Sequence, residues 1–587
     1  MVGTPPKQQN VRQIGRSNNR KTIGNKPMIL KTSILICLMV ALCVFLSGLN
    51  YAMMGKISSS SLFEEEQSEM PDLHKIAGLN CDPWGGPPNE IAEEMVYWQD
   101  IPSDAHYVSP FREPGMTKYL TFEPDRAGWN NIRMGMETVI ALAHAMGRTL
   151  ILPPDREIWA MNKGKEQKKS FSFDEFYHLE SLAIEHPGLD IITMEEFLEV
   201  VAMEQKRFTH VNPETQKAEP FYPPENRTQW DGERLEPLWD YLRSPEVSLI
   251  RKWDPDQCIA AFPASKDPKD IDSLQETLYK VRKLSPSGSK LSYIGNPTPV
   301  NASTHDRMAE LIGRRENLCL YDKEMQDAFL IHFKEDYRDG FRLLTHFYGF
   351  MFFQDWTHDL WTKRFVRDHV RYNDEIVCAA ARVVNEIRSI ARNTTVGLRA
   401  SANTKGDFHT MHVRRNDFSN QYKEFVLDAP QIIENSKEEL KPGITLFIAT
   451  DERDSSYFDP FREHYNVLLL KDFSHVLTKV NSNLYPLIDQ LVASRGKTFH
   501  GVFLSTFTGY INRLRGYYST KERLPGYKDG IIESYHFVRP ADKLLYKSYH
   551  PFENPSFMRE YPICWRDIDQ GIDVLAHPPT SDVKRHS

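Results

Sequence analysis

Between Lys118 and Pro154 the chain runs apolar, polar, amphipathic and apolar again. Lys118 to Glu123 (KYLTFE) predicts a strand, and Pro124 to Gly128 (PDRAG) a turn. From Trp129 to Met146, Ile132, Met136, Val139, Ile140, Ala143 and Met146 recur at helical spacing, and Gly147 is a suitable stop. RTLILPP then reads as a strand ended by proline. Strand, loop, helix, strand is a βαβ unit and implies a parallel sheet. The pattern returns after residue 400. Strands are expected at Phe408–Val413, Ile444–Ala449, Val467–Leu470 and Thr498–Leu504, and helices at Leu484–Ser494 and Phe507–Tyr518. Strands alternating with helices make a second α/β region.

Residues 155–400 are mixed: helical stretches at Ser172–Leu179 and Arg371–Ile390, and Pro-rich loops such as FYPPENR. A chain of 587 residues is too long for one core, so two or more domains are expected. The boundary falls near Arg371. Residues 1–31 read as a polar cytosolic tail, 51–80 as a stem, 81–370 as an N-terminal domain, 371–570 as a C-terminal domain and 571–587 as a tail.

One segment follows neither period. From Thr32 to Gly55 there is no charge, and Ile34 to Leu49 is almost wholly aliphatic. This predicts a single transmembrane signal anchor over 32–50. Lys7, Arg12, Arg16, Arg20, Lys21, Lys26 and Lys31 precede it without an acid, while Glu64, Glu65 and Glu66 follow. The positive-inside rule then leaves the N-terminus in the cytoplasm and the rest across the membrane. A cleaved signal peptide is the rival reading. The expected place is the Golgi membrane, single-pass type II with a lumenal catalytic part, the ER being the other candidate.

Composition adds exclusions. Lys and Arg number 72 against 80 Asp and Glu, a net charge of -8, and the basic residues form no stripe, so no nucleic acid is expected as a partner. Of seven cysteines, Cys37 and Cys43 lie in the apolar segment. The other five, Cys81, Cys258, Cys319, Cys378 and Cys564, allow one or two bridges in an oxidising lumen and leave one thiol over. Asn226-Arg-Thr, Asn301-Ala-Ser and Asn393-Thr-Thr are glycosylation acceptors in that compartment.

Ligands of open parallel sheets sit at the carboxyl ends of strands. One strand ends in His412, Arg414, Arg415 and Asp417, another in Thr450 and Asp451, a third in Ser505, Thr506 and Phe507 before a helix. Arginines offer planar, permanent charge to phosphate oxygens. A helix start with hydroxyls favours an anion, and an Asp suits ribose or base-edge donors. Together these describe a nucleotide diphosphate site. The plainer readings are an Arg415–Asp417 surface pair and an N-cap at Ser505-Thr506. In DRAGWNNIRMG, Gly128 would let a ligand approach the backbone, and Asn130 would cap the helix or bind a phosphate or sugar.

GWNNIR before a helix, HVRRNDF, IATD and FLSTFTGYINRLRG, in that order, resemble the GDP-fucose protein O-fucosyltransferase family over roughly residues 110–540, most closely its thrombospondin-repeat branch. The resemblance implies two Rossmann-like domains facing across a cleft (GT-B type), preceded here by the single transmembrane helix. It implies GDP-fucose as donor, no cofactor and no metal requirement. Arg414 would hold the β-phosphate, with His412 beside it. Asn130 would reach the diphosphate and fucose, Asp451 the nucleoside, and Ser505, Thr506 and Phe507 phosphate and base. The thrombospondin-repeat branch has a glutamate base immediately before the loop glycine. Here that position is Ala127. Glu123 and Asp125 are the nearby carboxylates that could replace it, or the enzyme works without a strong base.

The expected activity is inverting transfer of fucose from GDP-fucose to a Ser or Thr hydroxyl of a secretory-pathway protein. The alternatives are a glycan acceptor and a catalytically silent lumenal lectin or receptor. A glycoside hydrolase would put acids where the arginines stand. The triplets Asp254–Asp256, Asp270–Asp272 and Asp567–Asp569 could be called metal motifs, but they follow no clear strand and read as solvated loops.

Overall fold

Two five-stranded sheets, each wholly parallel, organise the protein. The structure is a computed structural model that describes residues 78–570 apart from 106, 159–169, 187, 205–208, 212–216, 223–229, 231, 285–297, 336–342, 395–404, 543–559 and 561. The expected cytosolic tail, the anchor over 32–50, most of the stem, the 571–587 tail and the Asn226 sequon lie outside the described residues. Among the described residues no helix is long and apolar enough to cross a membrane. All of them belong to one compact unit, Asp72–Ser587.

In chain order the strands are β1 (Tyr119–Phe122), β2 (Thr149–Ile151), β3 (Ile191–Ile192), β4 (Thr209–Val211), β5 (Ala218–Pro220), β6 (Leu249–Arg251), β7 (Cys258–Phe262), β8 (Asn317–Leu320), β9 (Leu330–Phe333), β10 (Met351–Phe353), β11 (His409–Val413), β12 (Thr445–Thr450), β13 (Asn466–Leu468), β14 (Phe499–Gly501) and β15 (Ser534–His536). The first sheet has the order β3-β2-β1-β9-β6 and the second β13-β12-β11-β14-β15. β10-β7-β8 form a smaller parallel sheet, and β4 with β5 an antiparallel hairpin. The mixed stretch 155–400 thus completes the first sheet and builds the small one.

The central strands are apolar runs because both faces are covered: β1 is buried at all four positions and β7 at all five. The helix after β1 spans Trp129–Met146, as its periodicity predicts. Gly147 ends it with φ 63° and ψ 39°. A Cβ there would also lie 2.9 Å from the Arg112 backbone nitrogen, so the position requires glycine twice over.

Two expectations are corrected. Ser172–Leu179 is not a helix but a 3-10 turn over Phe173–Glu175, with the next helix starting at Leu179. Tyr177 instead bridges Tyr372, and the His178 N–H donates to the Arg371 carbonyl, so a tertiary pairing overrides the helical spacing. The strand expected over Thr498–Leu504 closes at Gly501, because neighbours on both sides pair only as far as that residue. Elsewhere Cys81–Cys378 and Cys258–Cys319 form disulfides, and Cys564 is a buried free thiol.

The helices Trp129–Met146 and Thr506–Lys521 meet in a buried ionic seam. Arg133 pairs with Glu137 at 2.7 Å, Arg513 with the same carboxylate at 2.5 Å, and the Arg133 guanidinium lies 3.7 Å from the Tyr510 ring centre. Glu560 accepts from the Tyr348 hydroxyl and pairs with Arg513 at 3.6 Å. Four charges in a space this dry are tolerable only as mutual partners.

Candidate active site

β11 is the middle strand of the second sheet, so its carboxyl end has neighbours on both sides. His412, its fourth residue, is buried between that sheet and the helix Thr506–Lys521. Its Nδ1 lies 2.8 Å from the Thr508 hydroxyl, and its ring stacks on Phe507 with centroids 4.4 Å apart. Desolvation, then the positive charge of Arg414, holds its pKa well below the usual value, so it is neutral at physiological pH. Gly501 makes this approach possible, since a Cβ there would lie 2.3 Å from the Thr508 methyl carbon.

Arg414 follows with a partly exposed guanidinium. It donates to Asp417 at 2.8 and 3.1 Å and lies 3.4 Å from Asp451. The two carboxylates fix its orientation while leaving 29% of the side chain accessible. The Arg415–Asp417 pair expected from the sequence does not form. Arg415 turns to Glu452 at 2.8 Å and over the Tyr457 ring at 4.0 Å. Asp451 is a buttress: its Oδ1 accepts from the Arg415 backbone N–H at 2.8 Å, and the Asn416 amide donates to its carbonyl.

Between β14 and the next helix, Leu504 stands at φ 66°, a left-handed conformation costly for a residue with a branched side chain. The kink delivers Ser505 to the helix start. Ser505 is the N-cap by backbone conformation, but its hydroxyl makes no capping bond. The helix therefore presents first-turn N–H groups and the positive end of its dipole at the edge where Arg414 lies.

Asp489 was missed by the sequence reading. It belongs to the helix Tyr485–Ser494, which crosses over between β13 and β14, so its first turns begin at the same carboxyl edge. Its Oδ1 is buried without a hydrogen-bond partner among the described residues, and desolvation pushes its pKa well above the usual carboxylate value. A buried carboxyl oxygen with no donor among the described residues is a place for an external donor. The sequence signal available was an acid in the apolar helix LYPLIDQLVAS.

The first sheet offers the loop Glu123–Gly128. Glu123 is engaged through both oxygens, by Arg243 at 2.7 and 2.5 Å and by His332 Nε2 at 3.0 Å. Burial raises its pKa, but the His332 and Arg243 bonds outweigh that and hold it below the usual range. Asp125 turns the loop by accepting from the Ala127 N–H at 2.6 Å. Gly128 is the N-cap of Trp129–Met146 with an ordinary φ of -66°, and a Cβ on it would meet nothing within 4 Å. Among the described residues nothing beyond its chain neighbours fills that opening. Asn130 does not cap the helix. Its Oδ1 accepts from Gln490 Nε2 at 2.7 Å, which ties this loop to the Asp489 helix.

The aspartate triplets have structural roles. Asp569 pairs with Arg523, Asp567 with Arg566 at 3.1 Å, Asp270 accepts from the Ser265 hydroxyl at 2.6 Å, and Asp254 accepts the Asp256 N–H. No group of three or more ligating side chains suited to a metal occurs among the described residues.

Similar solved structures include the fucosyltransferase NodZ from Bradyrhizobium, 13% identical over 68% of this chain and 93% of that one, with a TM-score of 0.30. NodZ α-1,6-fucosyltransferase co-crystallised with GDP matches at 13% identity over 68% and 92%, TM-score 0.30. POFUT1 in complex with GDP-fucose matches at 14% identity over 70% and 96%, TM-score 0.31. No curated protein sequence matches this one. The model of the GDP-fucose protein O-fucosyltransferase family matches residues 119–518, more than half of the chain and every residue of the site built above, and the chain belongs to that family.

Proposed function

We propose that the protein transfers fucose from GDP-fucose to a Ser or Thr hydroxyl of a secretory-pathway protein, with inversion. The carrying observation is the edge of β11 and β14, where the buttressed Arg414 and an uncapped helix start stand beside a neutral His412 stacked on Phe507. In this reading the two five-stranded sheets are the cores of two Rossmann-like halves of GT-B type, dividing near Arg371.

As the bond from fucose C1 to the β-phosphate oxygen breaks, negative charge gathers on the departing GDP. Arg414 and the first-turn N–H groups at Ser505, Thr506 and Phe507 meet that charge, the largest electrostatic contribution a protein offers such a step. The acceptor oxygen bonds to C1 from the opposite face and gives up its proton. Asp125 is better suited than Glu123 to take it, because both Glu123 oxygens are bound by Arg243 and His332. Asp489 supplies a carboxyl for the paired N–H donors of a guanine edge, while the sequence expectation places Asp451 near the nucleoside. Asn130 and the open space at Gly128 face the diphosphate and fucose.

We place the chain in the Golgi membrane, anchored by 32–50 with its catalytic part lumenal. Two disulfides and the exposed sequon residues Asn301 and Asn393 accord with an oxidising, glycosylating compartment.

The test is thermal melting of the full-length protein with GDP, GDP-fucose, GDP-mannose and UDP-sugars, with and without EDTA, alongside Arg414→Ala. The expected result is a guanine-selective rise that survives EDTA and vanishes in the variant. No shift with any nucleotide would overturn the reading.

A further inference from the structure

Two buried hydrogen bonds and a part-buried one run in one direction toward Asn130. The Trp129 indole Nε1–H donates to the Tyr372 hydroxyl at 3.4 Å. That hydroxyl donates to Gln490 Oε1 at 3.0 Å. Gln490 Nε2 donates to Asn130 Oδ1 at 2.7 Å. Trp129, Tyr372 and Gln490 are 6%, 1% and 0% exposed, so water does not complete the first two contacts. The members come from the helix after β1, the segment before the helix Asp374–Thr394, and the crossover helix before β14.

The chemistry fixes the direction. An indole N–H only donates, so the Tyr372 oxygen accepts it and keeps its own hydrogen to give away. Turning the Gln490 amide over would leave that hydroxyl hydrogen facing an NH2 group, buried and without an acceptor. Gln490 therefore presents NH2 to Asn130, and Asn130 must answer with its carbonyl oxygen. Its own NH2 is left facing outward, where a phosphate or sugar oxygen accepts.

We propose that Gln490 is a positioning residue that holds the Asn130 amide with its N–H donors toward the GDP-sugar, and that Tyr372 and Trp129 set the polarity of Gln490. Were the Asn130 amide reversed, its carbonyl oxygen would oppose the diphosphate. This rests on the reading that Asn130 faces the donor.

The experiment is a double-mutant cycle in the full-length protein, read as the Kd for GDP-fucose by calorimetry and as the kcat and KM of its slow transfer to water. Gln490→Glu keeps the shape but removes the N–H donor, so Asn130 is turned over. Tyr372→Phe removes only the hydroxyl and serves if Gln490→Glu fails to fold. The expected result is about a tenfold weaker Kd in Asn130→Ala and in Gln490→Glu, and a smaller loss in Tyr372→Phe. Neither second change should have further effect in the Asn130→Ala background, where nothing remains to be oriented. If Asn130→Ala weakens binding but Gln490→Glu or Tyr372→Phe adds its full effect to it, positioning is overturned while the donor site stands. If Asn130→Ala leaves binding intact, both the place of Asn130 and the positioning role fall. Absence of GDP-fucose binding in the unaltered protein would overturn the proposed function, and the positioning role with it.

Discussion

The carboxyl edges of the two sheets carry similar residues and use them differently. At the first, Glu123 is clamped by Arg243 and His332, and Asp125 turns its own loop. The Glu123 charge is satisfied by the protein there, and no described residue fills the space at Gly128. At the second, Arg414 stays partly exposed while braced by Asp417 and Asp451, the helix start has no side-chain cap, and a buried Asp489 oxygen has no partner among the described residues. A buried polar group without a partner costs stability, so in the proposed reading the Asp489 oxygen and the uncapped helix start are where a ligand would complete the structure. On the other edge the clamped Glu123 belongs to the wall.

The sharpest way to break this contrast is Arg414→Ala. Transfer from GDP-fucose should fall about a thousandfold, near 4 kcal/mol of transition-state stabilisation, while the melting temperature barely moves. A large loss of stability with normal turnover would show Arg414 to be a wall residue like Glu123. The converse substitution, Glu123→Gln, should cost about 2 kcal/mol in chemical denaturation, because it breaks a largely buried ion pair. GDP binding should be unaffected by it.

Acid tests the interior as a whole. Desolvation lowers His144 to about 3 and His346 to about 4 from a usual 6.5. Unfolding frees both to take up a proton, so the unfolded chain binds more protons below pH 6.5 and stability falls as the pH falls. Between pH 6.5 and 5.5 the two should cost about 2 kcal/mol together, read as the part of the shift in the denaturation midpoint that is lost when both are replaced by glutamine. An equal shift without them would mean they are charged in the native state.

Asp489→Asn should weaken GDP binding about tenfold (about 1.4 kcal/mol) and narrow the preference for guanine over other bases, measured by competition among nucleoside diphosphates. Unchanged selectivity would move the base contact elsewhere. The smallest effect is expected from Gly128→Ala. With no atom of a described residue beyond its chain neighbours within 4 Å of the added methyl, the melting temperature should hold, and only donor affinity should drop severalfold. A drop in stability instead would mean that the space belongs to the protein.

Much of this was legible in the chain. Strand ends, the helix Trp129–Met146 and the cluster His412, Arg414, Ser505 and Phe507 follow from local apolar runs and from the rule that ligands sit at carboxyl ends. What was not legible depended on distant partners. Glu123 and Asp125 look alike in sequence, yet Arg243 and His332, far along the chain, set one apart. Asn130 looked like a cap and is a partner of Gln490, 360 residues away.

The sequence alone determined the parallel α/β elements, the residue types able to hold a diphosphate, and the family, because periodicity and ordered motifs are local properties. Only the tertiary structure decided which carboxylate is neutralised, which is left unsatisfied, and which way the Asn130 amide faces. Those outcomes depend on burial and on partners the folded chain brings together, and neither is written at the position concerned.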